Sequence, residues 1–139
     1  MSEIEYAKQV IELLEKSPHE QIIAPMIRFK GKDCGDANLT MALSCITQPF
    51  LMIKEPHKHD FDQFLCFLGG NPMNFGDFGA EVEFFMGEER EKRIINATSI
   101  IFVPKGLVHG PLNFKIIDKP IMFLDIVMAS SYARVPTSQ

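Results

Sequence analysis

The chain lacks several features that would identify common functional classes. It has no tryptophan, and its three cysteines (Cys34, Cys45 and Cys66) form no Cys-x-x-Cys pair. An odd, unpaired set of this kind is typical of buried or half-buried thiols in a reducing compartment. The 14 basic residues are outnumbered by 18 acidic ones, giving a net charge of −4. This balance argues against a nucleic-acid partner, which would require a basic face.

Sequence motifs for several enzyme classes are also missing. There is no glycine-rich phosphate loop, no Gly-x-Ser-x-Gly elbow and no plausible Cys–His pair. No apolar run approaches the length of a membrane span. The first residues, Met1–Glu5, are acidic and lack the apolar core of a signal peptide. We therefore expect a cytoplasmic protein with neither nucleic acid nor a membrane as its partner.

The length and the apolar content of the chain are sufficient for one domain with a hydrophobic core. The chain has 139 residues, of which 46% are apolar, with twelve phenylalanines and eight methionines. Residues 3–16 are predicted to form an amphipathic helix. Ser2 and Glu5 form a capping box, and Pro18 ends the helix.

Beyond Pro18, short apolar runs alternate with turn residues. The predicted strands are Ile22–Phe29, Leu39–Thr47, Leu51–Lys54, Gln63–Leu68, Ala80–Met86, Glu91–Asn96, Ser99–Val103, Leu112–Ile117 and Ile121–Met128. Many short strands at fairly regular spacing predict an all-β antiparallel sandwich or barrel. Segment 69–79 holds four glycines and a proline, so we expect a loop near one mouth of the barrel.

Three of the four histidines fall in two clusters. One cluster contains His57 and His59, and the other places His109 after a Pro-x-Gly turn. Two histidines in a His-x-His pair on an extended segment lie on one face, because strand side chains alternate. Together with a distant third histidine, they are the minimum for a transition-metal site built across strands.

The order His57-x-His59-x3-Gln63-x6-Gly70, followed by Pro104-x-Gly106-x2-His109-x3-Asn113, resembles the two motifs of the cupin superfamily. The resemblance covers residues 57 to 113. It implies a cupin-type β-barrel, or jelly roll, which the N-terminal α-helix predicted above would precede. The predicted organisation is a single cupin domain over 1–139, with a helical extension at 1–18, the barrel at 22–129 and a polar, frayed tail at 130–139.

The resemblance also implies one divalent metal, bound by His57, His59, Gln63 and His109. Iron, nickel, manganese, copper and zinc are all admissible for such ligands. Two residues depart from the family pattern: Gln63 replaces a usual glutamate, and Thr98 replaces the opening glycine of the second motif. For Gln63, direct coordination and hydrogen bonding to a ligand histidine or to water are equally open.

Other polar residues have two possible roles. Asp60 and Asp62 could orient an imidazole, but solvated turn aspartates are the preferred interpretation. Arg28 could face the pocket, but an exposed arginine is preferred. His19 is expected to be exposed or to lie at a helix C-terminus. On strand parity, Gln63 should point inward with Leu65 and Phe67, and Cys66 should point away from the site.

The leading functional hypothesis is a metal-dependent enzyme that acts on a small anionic or oxygen-rich substrate. By family analogy, dioxygenase chemistry is slightly preferred over isomerase or lyase chemistry. A non-catalytic module that binds or senses a small ligand is the alternative, and a relic without metal is a third. The resemblance further suggests a homodimer that pairs through edge strands.

Overall fold

The computed structural model describes residues 14–132, and these form an antiparallel β structure. Its nine strands are β1 Ile27–Lys30, β2 Thr40–Ile46, β3 Phe50–Ile53, β4 Gln63–Gly69, β5 Ala80–Met86, β6 Glu91–Ile95, β7 Ser99–Val103, β8 His109–Ile117 and β9 Ile121–Val127. The all-β class predicted from the sequence is confirmed. Over residues 14–132, no helix combines the length and the apolar character needed to cross a membrane.

The strands form two sheets that face each other. One sheet has the order β1-β2-β9-β4-β7 and the other the order β3-β8-β5-β6. Each pairing within these sheets is antiparallel. Neighbours such as β2 and β9 are far apart in sequence, which is the crossing connectivity of a jelly roll. The predicted antiparallel jelly-roll barrel is therefore confirmed.

Strand alternation decides which side chains form the interior. Leu65 and Phe67 of β4 are buried and point inward with Gln63, as parity predicts. At the end of the barrel where β4 finishes, three aromatic rings pack together. The ring centroid of Phe123 lies 5.1 Å from that of Phe67 and 5.5 Å from that of Phe114. This aromatic group closes one end of the core.

The first predicted strand is shorter than expected. It was placed at Ile22–Phe29, whereas β1 begins at Ile27. Pro25 has no backbone N–H to give to a ladder, so residues 22–25 lie outside the strand and Met26 is paired only in an isolated bridge with Glu15. In contrast, β8 begins at His109, three residues before the predicted start at Leu112. The third histidine therefore lies on a strand.

The predicted helix over 3–16 lies mainly outside the described residues. Its last three residues, 14–16, are not helical. Glu15 forms an antiparallel bridge with Met26, through backbone hydrogen bonds of 2.9 and 2.8 Å. Backbone pairing with the residue before β1 overrides the local helical pattern here.

The glycine-rich segment 69–79 lies at the barrel end opposite His109. Thr98 holds it in place: its hydroxyl accepts a hydrogen bond from the N–H of Gly69 at 3.1 Å and donates to the carbonyl of Phe75. Lys119 also pairs with Asp77, with Nζ and Oδ1 3.0 Å apart. The threonine that replaces the motif glycine therefore anchors this loop.

Candidate metal centre

Backbone hydrogen bonds hold the two histidine segments against each other. The N–H of His57 donates to the carbonyl of His109 and the N–H of His109 donates to that of His57, both at 2.9 Å. The N–H of Gly106 donates to the carbonyl of His59 at 2.9 Å. Gly106 has φ +84°, a left-handed conformation that favours glycine. The Pro-x-Gly turn therefore brings the third histidine back to the first two.

Asp62 adds a side-chain contact between the same two segments. Its Oδ1 accepts a hydrogen bond from the N–H of Lys105 at 2.9 Å. Neither sequence interpretation of Asp62 described this role, which is to hold the turn before His109. Asp60 fits the solvated interpretation better, because its side chain is 79% exposed and its contact with Lys105 is a 3.7 Å ion pair.

The three histidines form a compact, buried triad. One potential ligand atom from each of His57, His59 and His109 lies within 4.8 Å of the other two. The residues are 4%, 2% and 2% exposed. Metal–imidazole bonds of about 2.0–2.1 Å bring bound nitrogens to about 3–4 Å from one another, so a small rotation of the rings closes the set. The three side chains fit a metal ion.

Backbone carbonyls orient two of the imidazoles. Nδ1 of His109 lies 2.9 Å from the carbonyl oxygen of Leu107, and Nδ1 of His57 lies 3.3 Å from that of Glu55. A carbonyl oxygen only accepts, so Nδ1 carries the hydrogen and donates in each contact. The lone pair is then on Nε2, the tautomer that binds a metal through Nε2.

Aromatic rings surround the triad. Phe61 stacks on His59 with centroids 4.6 Å apart, and Tyr132 meets the same imidazole edge-on at 4.8 Å. Phe84 lies 5.9 Å from His109 on the other side. Tyr132 belongs to the segment 130–139 that was predicted to be a polar, frayed tail; the structure describes only the first three residues of this segment, and among them the ring of Tyr132 contacts the site. These rings limit the access of water to the imidazoles.

Gln63 is held in one orientation by a neighbouring carboxylate. Its Nε2 donates to Oδ1 of Asp125 at 2.7 Å. The pairing of β4 with β9 places Gln63 opposite Val127 and Leu65 opposite Asp125, so all four share the inner face. Gln63 is 3% exposed, and its Oε1 has no hydrogen-bond partner among residues 14–132. The amide oxygen is therefore available to an additional ligand.

Asp125 was not among the site residues predicted from the sequence. Burial raises the pKa of this carboxyl group to about 6, although the hydrogen bond from Gln63 and the charge of Arg28 act in the opposite direction. A signal was present: Asp125 is the single charged residue in the strand Ile121–Val127, and it has the same parity as the buried Phe123 and Val127. A lone acid on the apolar face of a strand is a candidate for a polar contact.

A cavity of about 480 Å³ adjoins the triad. Asp125 and Tyr132 line it, and these residues contact Gln63 and His59 respectively. Its lining carries three basic side chains, from Arg28, Lys30 and Lys32, and one acidic one. Met52, Ile53 and Val127 give part of its lining an apolar surface. Such a cavity suits a small anionic molecule with an apolar part.

Arg28 faces this cavity, contrary to the preferred sequence interpretation. It pairs with Ala42, which pairs with Asp125, so the three side chains lie on the same face of the sheet. Its Nε also lies 3.7 Å from Oε1 of Glu15, and its side chain is 31% exposed. His19 likewise lines the cavity, half-buried, with its ring 5.8 Å from that of Phe50. Burial lowers the pKa of His19.

Cys66 and Asn113, two other residues named in the sequence analysis, lie away from the triad. Cys66 points to the opposite face of β4, as parity predicts; burial, and to a lesser extent the charge of Asp125, raises the pKa of its thiol. Asn113 points to the outer face of the second sheet, where its Nδ2 donates to Oε1 of Glu83 at 3.2 Å. Neither residue contributes to the triad.

The fold has well-defined relatives among solved structures. The S161A mutant of Bacillus subtilis oxalate decarboxylase OxdC matches with a TM-score of 0.57 at 16% identity, covering 88% of this chain and 30% of that one. Oxalate oxidase in complex with the substrate analogue glycolate matches at 0.56 and 11% identity, covering 85% and 56%. A B. subtilis oxalate decarboxylase structure described for its Mn(II) centres matches at 0.52 and 12% identity, covering 78% and 26%.

This chain spans between about a quarter and somewhat over half of the length of these solved chains. In sequence comparisons, no family model and no curated protein matches it. The structural likeness shows the fold: the protein has the cupin fold, and its buried histidine triad fits a cupin metal site.

Proposed function

We propose that the protein is a metal-dependent enzyme acting on a small anionic or oxygen-rich organic molecule. Its metal ligands are the Nε2 atoms of His57, His59 and His109, with Oε1 of Gln63 as the fourth. The observation that carries the proposal is the buried triad beside a cavity with a basic lining.

The hydrogen bond to Asp125 supports Gln63 as a ligand rather than a bystander. An amide that donates through Nε2 to a carboxylate presents its oxygen in the other direction. That oxygen is buried and has no hydrogen-bond partner within the described chain. A buried acceptor without a partner destabilises the fold by about 1–3 kcal/mol, and a cation beside it removes this cost.

The four proposed ligands are all neutral, so the ion would keep its full charge. When bound, a metal would supply Lewis acidity towards an oxygen atom of the substrate. The chain itself provides Arg28 and Lys30 to attract an anionic group into the cavity. Phe61 and Tyr132 keep water from the imidazoles, while Asp125 fixes the amide of Gln63.

Several finer features belong to the same proposal. Iron, nickel, manganese, copper and zinc are all candidates for the ion. Dioxygenase chemistry is preferred over isomerase or lyase chemistry, on the family analogy alone. We also propose that the protein is cytoplasmic and homodimeric, with neither nucleic acid nor a membrane as a partner.

Metal analysis tests the proposal directly. Protein purified without an affinity tag should contain near-stoichiometric metal, and metal-free protein should bind one ion per chain in calorimetry. A protein that takes up none of the five metals after reconstitution would refute the proposed centre.

A substrate panel then tests the reaction. Small carboxylates, diketones, catechols and thiols should be screened for oxygen consumption and for product formation. Arg28→Gln should raise KM for an anionic substrate at least about tenfold, the loss of one charged hydrogen bond. Arg93→Gln is the matched control, because Arg93 pairs with Glu91 on the surface. Equal KM values in the two variants would contradict the role of Arg28.

The alternative hypothesis, a non-catalytic module that binds a small ligand, predicts a different result in the same screen. No substrate should be turned over, and Tm should rise when a small anion binds in the cavity. This result would retain the metal centre and replace the enzymatic role.

A further inference from the structure

The inner face of the five-stranded sheet forms the floor of the cavity beside the triad. Two rows of paired residues cross this face, and the first three residues of each row line the cavity. The rows are Arg28, Ala42, Asp125 and Leu65; then Lys30, Thr40, Val127 and Gln63. A basic side chain therefore begins each row at the edge strand β1, and the other end of the rows lies beside the triad.

The two ends of the cavity are well separated. Neighbouring strands lie about 4.8 Å apart, so the two steps from β9 to β1 place the backbones of Asp125 and Arg28 about 10 Å apart. Between them, the first row has only the methyl group of Ala42. A longer side chain at position 42 would fill the space that joins the basic end to the triad side. The floor of the cavity is therefore open along its length.

The basic end of the cavity holds positive charge that the protein does not fully neutralise. Arg28 pairs with Glu15, with Nε 3.7 Å from Oε1. The ion pairs found among residues 14–132 include neither Lys30 nor Lys32, which also line this end. Within the described part of the chain, Asp125 is the one acidic residue of the lining. Positive charges therefore outnumber negative ones around the cavity.

We propose that the substrate is an elongated dianion, with one oxyanion at the proposed metal ion and a second oxyanion bound by Arg28 and Lys30 at the far end of the cavity. This inference rests on the proposed function, which supplies the ion for the first group. A ligand with one anionic group would leave either the ion or the basic end without a counter-charge. Met52 and Ile53, on the opposite sheet, line the cavity and suit the carbon chain between the two groups.

Glu15 occupies the guanidinium group that the second oxyanion would use. It lies on the extended residues that pair with Met26, beside the start of β1. Both side chains of its ion pair with Arg28 are partly exposed, and such a pair contributes little to stability, so an oxyanion can displace it. Burial raises the pKa of Asp125 and the charge of Arg28 opposes this rise, so Arg28 also acts on the interior of the cavity. Glu15 therefore competes with the substrate for Arg28.

Calorimetry with matched ligands tests the second oxyanion. Zinc-loaded protein should bind glutarate or adipate at least about tenfold more tightly than the corresponding monomethyl ester, because the ester keeps the chain length and loses one charged contact. The ligand 3-phosphonopropionate carries a phosphonate in place of one carboxylate. Tighter binding of this ligand than of glutarate would identify the second group as a phosphate-type oxyanion.

Loss of the two basic side chains should abolish the preference for a dianion. In Arg28→Gln/Lys30→Gln, the affinities for a dianion and its monomethyl ester should lie within about twofold of each other, and the zinc affinity should be unchanged because neither residue is a proposed ligand. Lys92→Gln/Arg93→Gln is the matched control, since it removes the same charge from side chains that pair with Glu83 and Glu91 on the outer surface.

Ala42→Leu tests the length of the cavity without a change in charge. The added side chain should block the path to the basic end and abolish the same preference, while zinc still binds. Circular dichroism and Tm check that the variant folds. Ala97→Leu is the matched control, because Ala97 is exposed in a turn away from the cavity.

Glu15→Gln should act in the opposite direction. Removing the competing carboxylate should tighten dianion binding by about two- to fivefold, the range expected for a partly exposed ion pair. Glu91→Gln is the control, since Glu91 pairs with Arg93 on the surface.

Equal affinities for a dianion and its monomethyl ester, in protein that holds one zinc ion per chain, would overturn the inference and leave the proposed function standing. A dianion preference that survives in both Arg28→Gln/Lys30→Gln and Ala42→Leu would do the same. A chain that binds no metal would refute the proposed function, and the elongated dianion with it, because the first oxyanion would have no ion to reach.

Discussion

At one end of the barrel, β4, β8 and β9 point Gln63, His109 and Asp125 inward. At the other end, the same three strands point Phe67, Phe114 and Phe123 inward, and their rings pack together. Along β4 and β9 the inward residues at the two ends have the same parity, whereas His109 and Phe114 have opposite parity and both face inward because β8 has a bulge between His109 and Leu112. The position along each strand therefore decides whether an inward residue belongs to the candidate site or to the packed core. The two ends should therefore respond differently to substitution.

The two ends of the barrel also contribute differently to the stability of the fold. The aromatic end buries the large apolar surfaces of its rings, which stabilises the folded state. The histidine end buries imidazoles, an amide and a carboxylate, which are costly to dehydrate. We therefore expect burial of the aromatic rings to offset the free energy that dehydration of the polar side chains costs at the histidine end.

His109→Ala should have the largest effect, at the histidine end alone. Removing one of three imidazoles should weaken metal binding by more than about a thousandfold, equivalent to about 4 kcal/mol. The unfolding free energy of the metal-free protein should change far less. Calorimetric titration measures the affinity, and His19→Ala is the control because His19 lies outside the triad. Equal affinities would contradict the proposed centre.

Phe114→Ala should show the reverse behaviour. Deleting a fully buried ring at the centre of the aromatic group should lower the free energy of unfolding by about 3–5 kcal/mol. Metal affinity, measured below the new Tm, should remain within about twofold of the wild type, because the packing change is remote. Loss of metal binding in a folded Phe114→Ala protein would show that the two ends are coupled.

The pH dependence of the free energy of unfolding should show that the ionisation of Asp125, at the histidine end, destabilises the fold. The pKa of Asp125 is raised to about 6 in the folded protein, so between about pH 4 and pH 6 the folded state binds more protons at this group than the unfolded state does. The contribution of protonated Asp125 to the free energy of unfolding is fully present below the unfolded pKa near 4. This contribution is lost as the pH rises through about 6.

In the metal-free protein, unfolding free energy should therefore fall by up to about 3 kcal/mol across this window. Asp125→Asn should remove that part of the pH dependence, as measured by chemical denaturation at a series of pH values. If the wild type and the variant give parallel curves, the folded carboxyl group titrates normally.

Moving the carboxylate to position 63 and the amide to position 125 should give the smallest of these effects. Its change in metal affinity tests the role of Gln63 specifically. Gln63→Glu alone adds a carboxylate ligand but sets it against the carboxylate of Asp125, 2.7 Å from the amide it replaces. The double variant Gln63→Glu/Asp125→Asn restores a donor between the two side chains. It should bind metal about ten- to a hundredfold more tightly than the wild type, and Gln63→Glu alone should gain less.

Affinities of the four proteins in this cycle decide between the two roles left open for Gln63. If neither variant changes the metal affinity, Gln63 lies outside the coordination sphere. If Gln63→Glu alone equals the double variant, the contact with Asp125 has no influence on the ion.

Much of the fold was predictable from local patterns. Turn residues and apolar runs located all nine strands, and the histidine spacing identified the residues that the fold brings together. The shortened β1 and the extended residues 14–16 were not predictable, because backbone pairing between Glu15 and Met26 overrides the local signals.

The parts of the site that were missed depend on long-range register. Asp125 reaches Gln63 because β9 pairs with β4, a partnership that neither strand encodes alone. Arg28 faces the cavity because β1 continues the same row through Ala42. The role of Asp62 similarly depends on how the turn before His109 folds back. Single-strand parity gives the face of each residue but not its neighbours across the sheet.

The bridge between His57 and His109 has a consequence for unfolding. All of β4, β5, β6 and β7 lie between His57 and His109 in the chain. An ion bound to both would act as a removable cross-link across this stretch, restricting the unfolded chain much as a covalent bridge does. Chelation would then loosen the whole domain, including its aromatic end, rather than the binding site alone.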